Sequence, residues 1–80
     1  MNESLLYKEV KDYVEFLISS SFFNGKIHEV VIRESEMAIF LSTMEYCKGN
    51  QSYARDVLGI SRATLRKKLS AYDILYSGKN

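Results

Sequence analysis

The sequence predicts an all-α protein of four helices, two longer ones first and two short ones folded about a glycine behind them. Three observations lead there. The 80 residues hold no proline and four glycines at spaced positions. Apolar residues recur every three or four places, the period of an amphipathic helix. The alternation of β-branched and polar residues that marks strands is weak. At this length one domain is expected, residues 1–80, with about 4–47 given to dimerisation helices and about 50–72 to a C-terminal unit.

Ser4 is placed to cap a first helix whose apolar residues fall at Leu6, Val10, Tyr13, Val14, Leu17 and Ile18, with Lys8, Lys11, Asp12 and Glu15 elsewhere. Ser19, Ser20, Ser21, Asn24 and Gly25 end it, since Asn and Gly tolerate the left-handed geometry of a helix stop. A second helix is expected from about Lys26 to Cys47. Val30, Val31, Glu34, Met37, Leu41 and Met44 trace one face, Ile32, Ile39 and Tyr46 another, and Phe40 and Cys47 widen the apolar coverage. A helix apolar on more than half its circumference needs cover on more than one side. Lys48 and Gly49 end it, a cation at the negative end of the dipole and then a glycine cap.

Ser52 to Leu58 makes about two further turns, Gly59 allows a sharp bend, and Ser61 caps a last helix reaching Ala71 or Tyr72. Two short helices joined through a glycine at this separation form the helix-turn-helix pattern, held by Ala54, Leu58, Ile60, Leu65 and Leu69. The tail from Asp73 to Asn80 is expected to fray.

Size bears on assembly. So short a chain buries only about two-thirds of its unfolded surface, so something must brace it. One cysteine, Cys47, forms no internal disulfide, and one histidine, His28, builds no metal site with it. The 46% hydrophobic content then favours a second copy of the chain, with Val30, Ile32, Met37, Ile39, Phe40, Leu41 and Met44 as the candidate dimer interface. No stretch approaches the roughly 18 apolar residues that span a bilayer, and the acidic start of the chain does not fit a signal peptide. A cytoplasmic protein, with no membrane partner, is expected.

The net charge of +1 conceals a division. Residues 1–47 hold four Lys/Arg against eight Asp/Glu, a balance of −4, and residues 48–80 hold seven against two, a balance of +5. Such asymmetry points to a polyanionic partner at one end of the molecule. A DNA major groove admits one α-helix, and the first turns of that helix reach the base edges. With Leu65 and Leu69 facing inward, the last helix presents Arg62, Ala63, Arg66 and Lys67, with Ser61 and Thr64 near its start. Arg62 carries the forked guanidinium that pairs with guanine O6 and N7. Ser52 and the amides opening the preceding helix suit a phosphate. A last helix also gathers basic residues merely to complement its dipole. The charge division, the glycine-centred turn and an arginine at the helix tip favour double-stranded DNA.

The stretch "GNQSYARDVLGISRATLRKKL", residues 49–69, resembles the C-terminal helix-turn-helix of the Fis family (factor for inversion stimulation) of bacterial nucleoid proteins. The G-N-Q start, the L-G-I turn and the R-x-T-L-R-K-K-L helix carry the likeness, and "IHEVVIRESEMAIFLSTMEYCKGNQ" extends it upstream. A related motif closes NtrC-type activators. The resemblance implies an intertwined homodimer built from the first two helices and a nucleoid-associated regulator of transcription. It implies a duplex bent about an A·T-rich centre whose minor groove compresses easily. It also implies that Arg62 reads a guanine at each end of the site, while Asn50, Ser52, Thr64, Arg66, Lys67 and Lys68 hold phosphates or groove edges. The alternatives are the terminal domain of an NtrC-type activator, or a dimerisation module that binds no DNA.

The chain departs from the family pattern in places. Ser61 stands where Fis has asparagine, which alters readout of neighbouring bases. Tyr53 replaces an arginine, and Ser70 and Ala71 replace lysines, which weakens phosphate binding and flattens its salt dependence. Arg55 stands where relatives keep a small alanine. Met1 lies three residues before the first helix, so the β-hairpin arm that activates DNA invertases is expected to be absent, and recombinase activation with it.

The remaining chemistry-bearing residues assemble nothing catalytic. His28 is expected at the surface and Cys47 as a buried thiol. Glu34 and Glu36 are expected on different faces in solvent, Met37 and Met44 as core filler, and Tyr46 and Tyr72 as half-buried packing residues. No nucleophile meets a base, so neither an enzyme, a cofactor, a metal nor a small-molecule substrate is expected.

Overall fold

In the computed structural model, the structure describes residues 4–20 and 25–74. They form four helices: α1 (Leu5–Ser20), α2 (Ile27–Tyr46), α3 (Gln51–Leu58) and α4 (Arg62–Ala71), and no strand is found among the described residues. The chain divides into two compact units, the first ending at Ser35 and the second beginning at Glu36.

In the first unit, Ser4 caps α1 as its side chain suggests. Its Oγ accepts the Tyr7 backbone N–H at 3.0 Å, and its carbonyl accepts from Lys8. At the other end, the Ser19 and Ser20 hydroxyls donate to the carbonyls of Phe16 and Leu17, satisfying acceptors that a helix terminus leaves open. Ser21 and Asn24, also expected in that stop, lie outside the described residues. Gly25 follows with φ 85°. Leu17 is buried, and Val10, Tyr13 and Val14 are half-buried, but Leu6 and Ile18 of the same expected stripe are 71% and 59% exposed. Lys8–Asp12 and Lys11–Glu15 pair along the exposed side of α1, which contributes little to stability. Tyr13 donates its phenol to Glu34 Oε1 of α2 at 2.8 Å. That bond, foremost, raises the Tyr13 pKa above its usual value. Glu34 is thus a tether between helices as well as a solvated acid.

The second unit holds the core. Phe40, Met44, Cys47, Ala54, Leu65 and Leu69 are buried together, with Leu58, Ile60, Tyr72 and Ile74 packed against them. Cys47 is the buried thiol expected, and His28, on α2, is exposed. Phe40 and Met44 were expected at the dimer surface. At 6% and 0% exposure they are used up against α3 and α4 of their own chain. Met37 is 36% exposed instead of filling the core, and Tyr46, expected half-buried, is 71% exposed beside Tyr53, with ring centroids 6.2 Å apart.

Sharp reversals join these helices. After α2, Gly49 N–H donates to the Met44 carbonyl and Lys48 N–H to that of Glu45, the paired bonds of a Schellman stop. The left-handed residue next to the helix is Lys48, φ 54°, with Gly49 following at φ 80°, so the expected glycine cap begins one residue early on a lysine. Asp73 (φ 56°) and Ile74 close α4 in the same way, through Ser70 and Leu69 carbonyls, and Ile74 returns to the core. The remainder of the tail expected to fray, residues 75–80, lies outside the described residues. Between α3 and α4, Gly59 sits at φ 72°, its N–H on the Arg55 carbonyl at 2.8 Å. A Cβ there would meet nothing within 4 Å. The expected cost of Gly59→Ala is therefore backbone strain alone, about 1–2 kcal/mol, read as a lower urea midpoint with unchanged slope.

Candidate nucleic-acid interface

The α3–turn–α4 unit is held from within by Ala54, Leu65 and Leu69, and this decides which side chains face out. Leu65 and Leu69 lie one helical turn apart on the inner face. Ser61, Arg62, Ala63, Thr64, Arg66 and Lys67 are all exposed. Arg62 opens α4 and has no hydrogen-bond or ion-pair partner among the described residues, and the same holds for Lys67. Arg66 Nε reaches Gln51 Oε1 of α3 at 3.4 Å, so its guanidinium lies beside the start of the neighbouring helix.

The caps show why the helices begin where they do. Ser61 has extended backbone, its Oγ accepts the Thr64 N–H at 3.1 Å, and its hydroxyl donates to Thr64 Oγ1 at 3.0 Å. The Ser61 side chain is therefore occupied by its own helix, while Thr64, accepting from it, keeps its own proton to donate. Replacing Ser61 by alanine should cost about 1 kcal/mol of stability, seen as a lower thermal midpoint, through loss of the cap. Asn50, half-buried, is the corresponding cap of α3: its Oδ1 accepts the Tyr53 N–H at 2.9 Å, a bond that does not use its amide nitrogen. The helix thus starts at Gln51, one residue before the expected Ser52, and Ser52 is half-buried within its first turn. The start of α3, at the positive end of the helix dipole, remains an anion-favouring feature.

Lys68 stands apart from the other cations. Its Nζ pairs with Glu36 Oε1 of α2 at 2.8 Å, with side-chain exposures of 34% and 28% for Lys68 and Glu36. The Tyr72 hydroxyl donates to the same oxygen. Hydrogen bonds from Lys68 first and Tyr72 second hold the Glu36 carboxyl below the usual range, and the carboxylate correspondingly raises Lys68. Glu36 is therefore not the solvated acid its sequence context suggests, and Lys68 is not a free outward cation. Long-range pairing of this kind leaves no local sequence signal. Arg55, flagged by its unusual size at this position, is half-buried with Nε lacking a hydrogen-bond partner among the described residues. No group of three or more His, Cys, Asp or Glu residues that could hold a metal occurs among the described residues. No helix among them is long and apolar enough to cross a membrane.

Two capped helices joined through a left-handed glycine, with a shared core and an arginine at the tip of the second, define a helix-turn-helix protein. Residues 31–72 match the family model described as "Bacterial regulatory protein, Fis family". The chain is 34% identical over 76 residues to the DNA-binding protein Fis of Proteus mirabilis, covering 88% of this chain and 78% of that protein. The same identity and coverage are found with DNA-binding protein Fis of Escherichia coli O1:K1 / APEC. A protein described as Fis-like and DNA-binding from Xylella fastidiosa (strain Temecula1) is 45% identical over 49 residues, which cover 61% of this chain and 54% of that protein. The chain thus spans about half the length of this Fis-like relative. No solved structure gives a significant match. The chain belongs to the Fis family of bacterial regulatory proteins.

Proposed function

We propose that this chain binds double-stranded DNA as a homodimer in the bacterial nucleoid, bends it, and regulates transcription from A·T-rich sites flanked by guanines. The observation that carries the reading is Arg62: exposed, unpaired among the described residues, and at the N-terminal tip of a helix whose inner face is filled by Leu65 and Leu69. That is the placement from which a guanidinium reaches guanine O6 and N7 in a major groove. Thr64, Arg66 and Lys67 flank it as phosphate contacts, with the Asn50 amide and the first turn of α3 as a second anchor. Relatives named as DNA-binding support the assignment.

The homodimer rests on exposed apolar surface. Ile32, Ile39 and Leu41 of α2 are 44–48% exposed, and Leu5, Leu6, Phe16 and Ile18 of α1 exceed half. Val30 and Met37 complete the proposed interface. So much large apolar surface on a short chain marks an association site. The presence of Leu5 and Phe16 in that set was not evident from the helix period.

Gel shifts in rising salt test DNA binding, using an A·T-rich duplex with flanking guanines. Parent protein should bind at low salt and lose affinity steeply as salt rises, since neutralising phosphates releases counterions. Failure of the parent to bind that duplex at low salt refutes the reading. Sedimentation at micromolar concentration tests assembly, where a folded monomer would overturn the dimer.

A further inference from the structure

Glu36 lies on α2, outside the helix-turn-helix pair, yet one of its oxygens receives two donors from the C-terminal end of the chain. Lys68 Nζ approaches Oε1 at 2.8 Å, and the Tyr72 hydroxyl donates to the same atom. Lys68 and Tyr72 are four residues apart, one above the other on a single flank of α4 and its C-cap. The ammonium also stands 6.0 Å from the Tyr72 ring centroid, within range of a weak cation–π attraction. Thr64, four residues before Lys68 on that flank, is exposed. The flank therefore runs from a hydroxyl free to meet a phosphate to an ammonium held by a carboxylate.

We propose that Glu36 is a positioning residue for DNA binding. It withholds Lys68 from the phosphate-contacting set and, together with Tyr72, fixes the rotation of α4 about its own axis. Arg62, Arg66 and Lys67 are then the cations that α4 offers to the duplex. The inference rests on the DNA-binding reading above. A phosphate that recruits Lys68 must displace a carboxylate already in place, so the cation is neutralised before DNA arrives. Glu36 is ionised at neutral pH because its two donors favour the charged form. A partly exposed ion pair is weak enough for removal of its charge to free the lysine without dismantling the unit.

The test compares the full chain with Glu36→Gln, Lys68→Ala and the double variant, on one A·T-rich duplex with flanking guanines, over a salt series. Lys68→Ala alone should leave the slope of log K against log salt unchanged. Glu36→Gln should steepen it by about 0.9 for each lysine released, and adding Lys68→Ala should restore the parent slope. A purely structural role for Glu36 would weaken binding at constant slope. Either that result, or a flatter slope in Lys68→Ala alone, overturns the proposal. A second arm needs no DNA: a carbon-13 titration of the Glu36 carboxyl should run below the usual 4.5 and return towards it in Lys68→Ala. No change on that substitution refutes the clamp. Should Glu36→Gln not fold, the Lys68→Ala slope and the titration still decide. If the parent fails to bind, the DNA-binding reading falls and carries the proposal with it. If the parent binds but the slopes behave otherwise, the role of Glu36 falls alone.

Discussion

Arg62→Ala should weaken binding to a guanine-flanked site by at least about tenfold while leaving the fold intact. A bidentate arginine–guanine contact is worth ~1–3 kcal/mol of discrimination, and the proposed homodimer would present the residue twice. Arg62 is exposed at the first position of α4 and takes no part in the core, so circular dichroism and the unfolding midpoint should barely move. The variant should also become indifferent to replacing the flanking guanine, because the group that distinguishes it is gone. Lys67→Ala should behave differently. It should weaken all duplexes about equally and reduce the salt slope by about 0.9 per site, the signature of a lost phosphate contact. Competition assays with guanine-substituted duplexes separate the two. Equal discrimination by parent and Arg62→Ala would remove Arg62 from base readout.

The second large effect is on stability. Leu65→Ala should lower the unfolding free energy by about 2–5 kcal/mol, the range for deleting a fully buried leucine. Leu65 is completely buried in a cluster with Met44, Ala54 and Leu69, joining α2, α3 and α4 of the second unit. Small domains have only about 5–15 kcal/mol in total, so a large part of the second unit's margin would go. Val57, half-exposed on α3, provides the control, and Val57→Ala should change stability by less than about 0.5 kcal/mol. Urea denaturation followed by far-ultraviolet circular dichroism measures both. A loss below 1 kcal/mol for Leu65→Ala would mean that α4 is not seated by its leucines.

The helices were legible because their signals are local. Ser61 and Gly59 act within a few residues of where they stand, and the spacing of Leu65 and Leu69 shows the inner face without reference to anything distant. The same locality explains the error at α3. Ser52 was expected to open that helix, whereas the bond from Tyr53 makes Asn50 the cap and Gln51 the first residue. The apolar breadth of α2 is plain in the sequence, and one of its faces is buried within the chain. It could not show that Phe40 and Met44 meet α3 and α4 while Ile32 and Ile39 remain exposed, because that depends on how separate helices dock. Glu36 was invisible for the same reason: its partners lie 32 and 36 positions away, and an acid on a helix carries no mark of what it meets across the fold.

The burial of Cys47 gives the second unit a built-in gauge. It is the sole cysteine of the chain, 4% exposed, and surrounded by the residues that hold α3 and α4 in place. A thiol-reactive dye reaches it only when that cluster opens. In the regime where closing outruns labelling, the modification rate reports the free energy of local opening. Leu65→Ala and Ser61→Ala should both accelerate labelling, whereas Arg62→Ala should not. The native chain thus yields the opening free energy of its helix-turn-helix from its labelling rate divided by that of the same thiol in the unfolded chain.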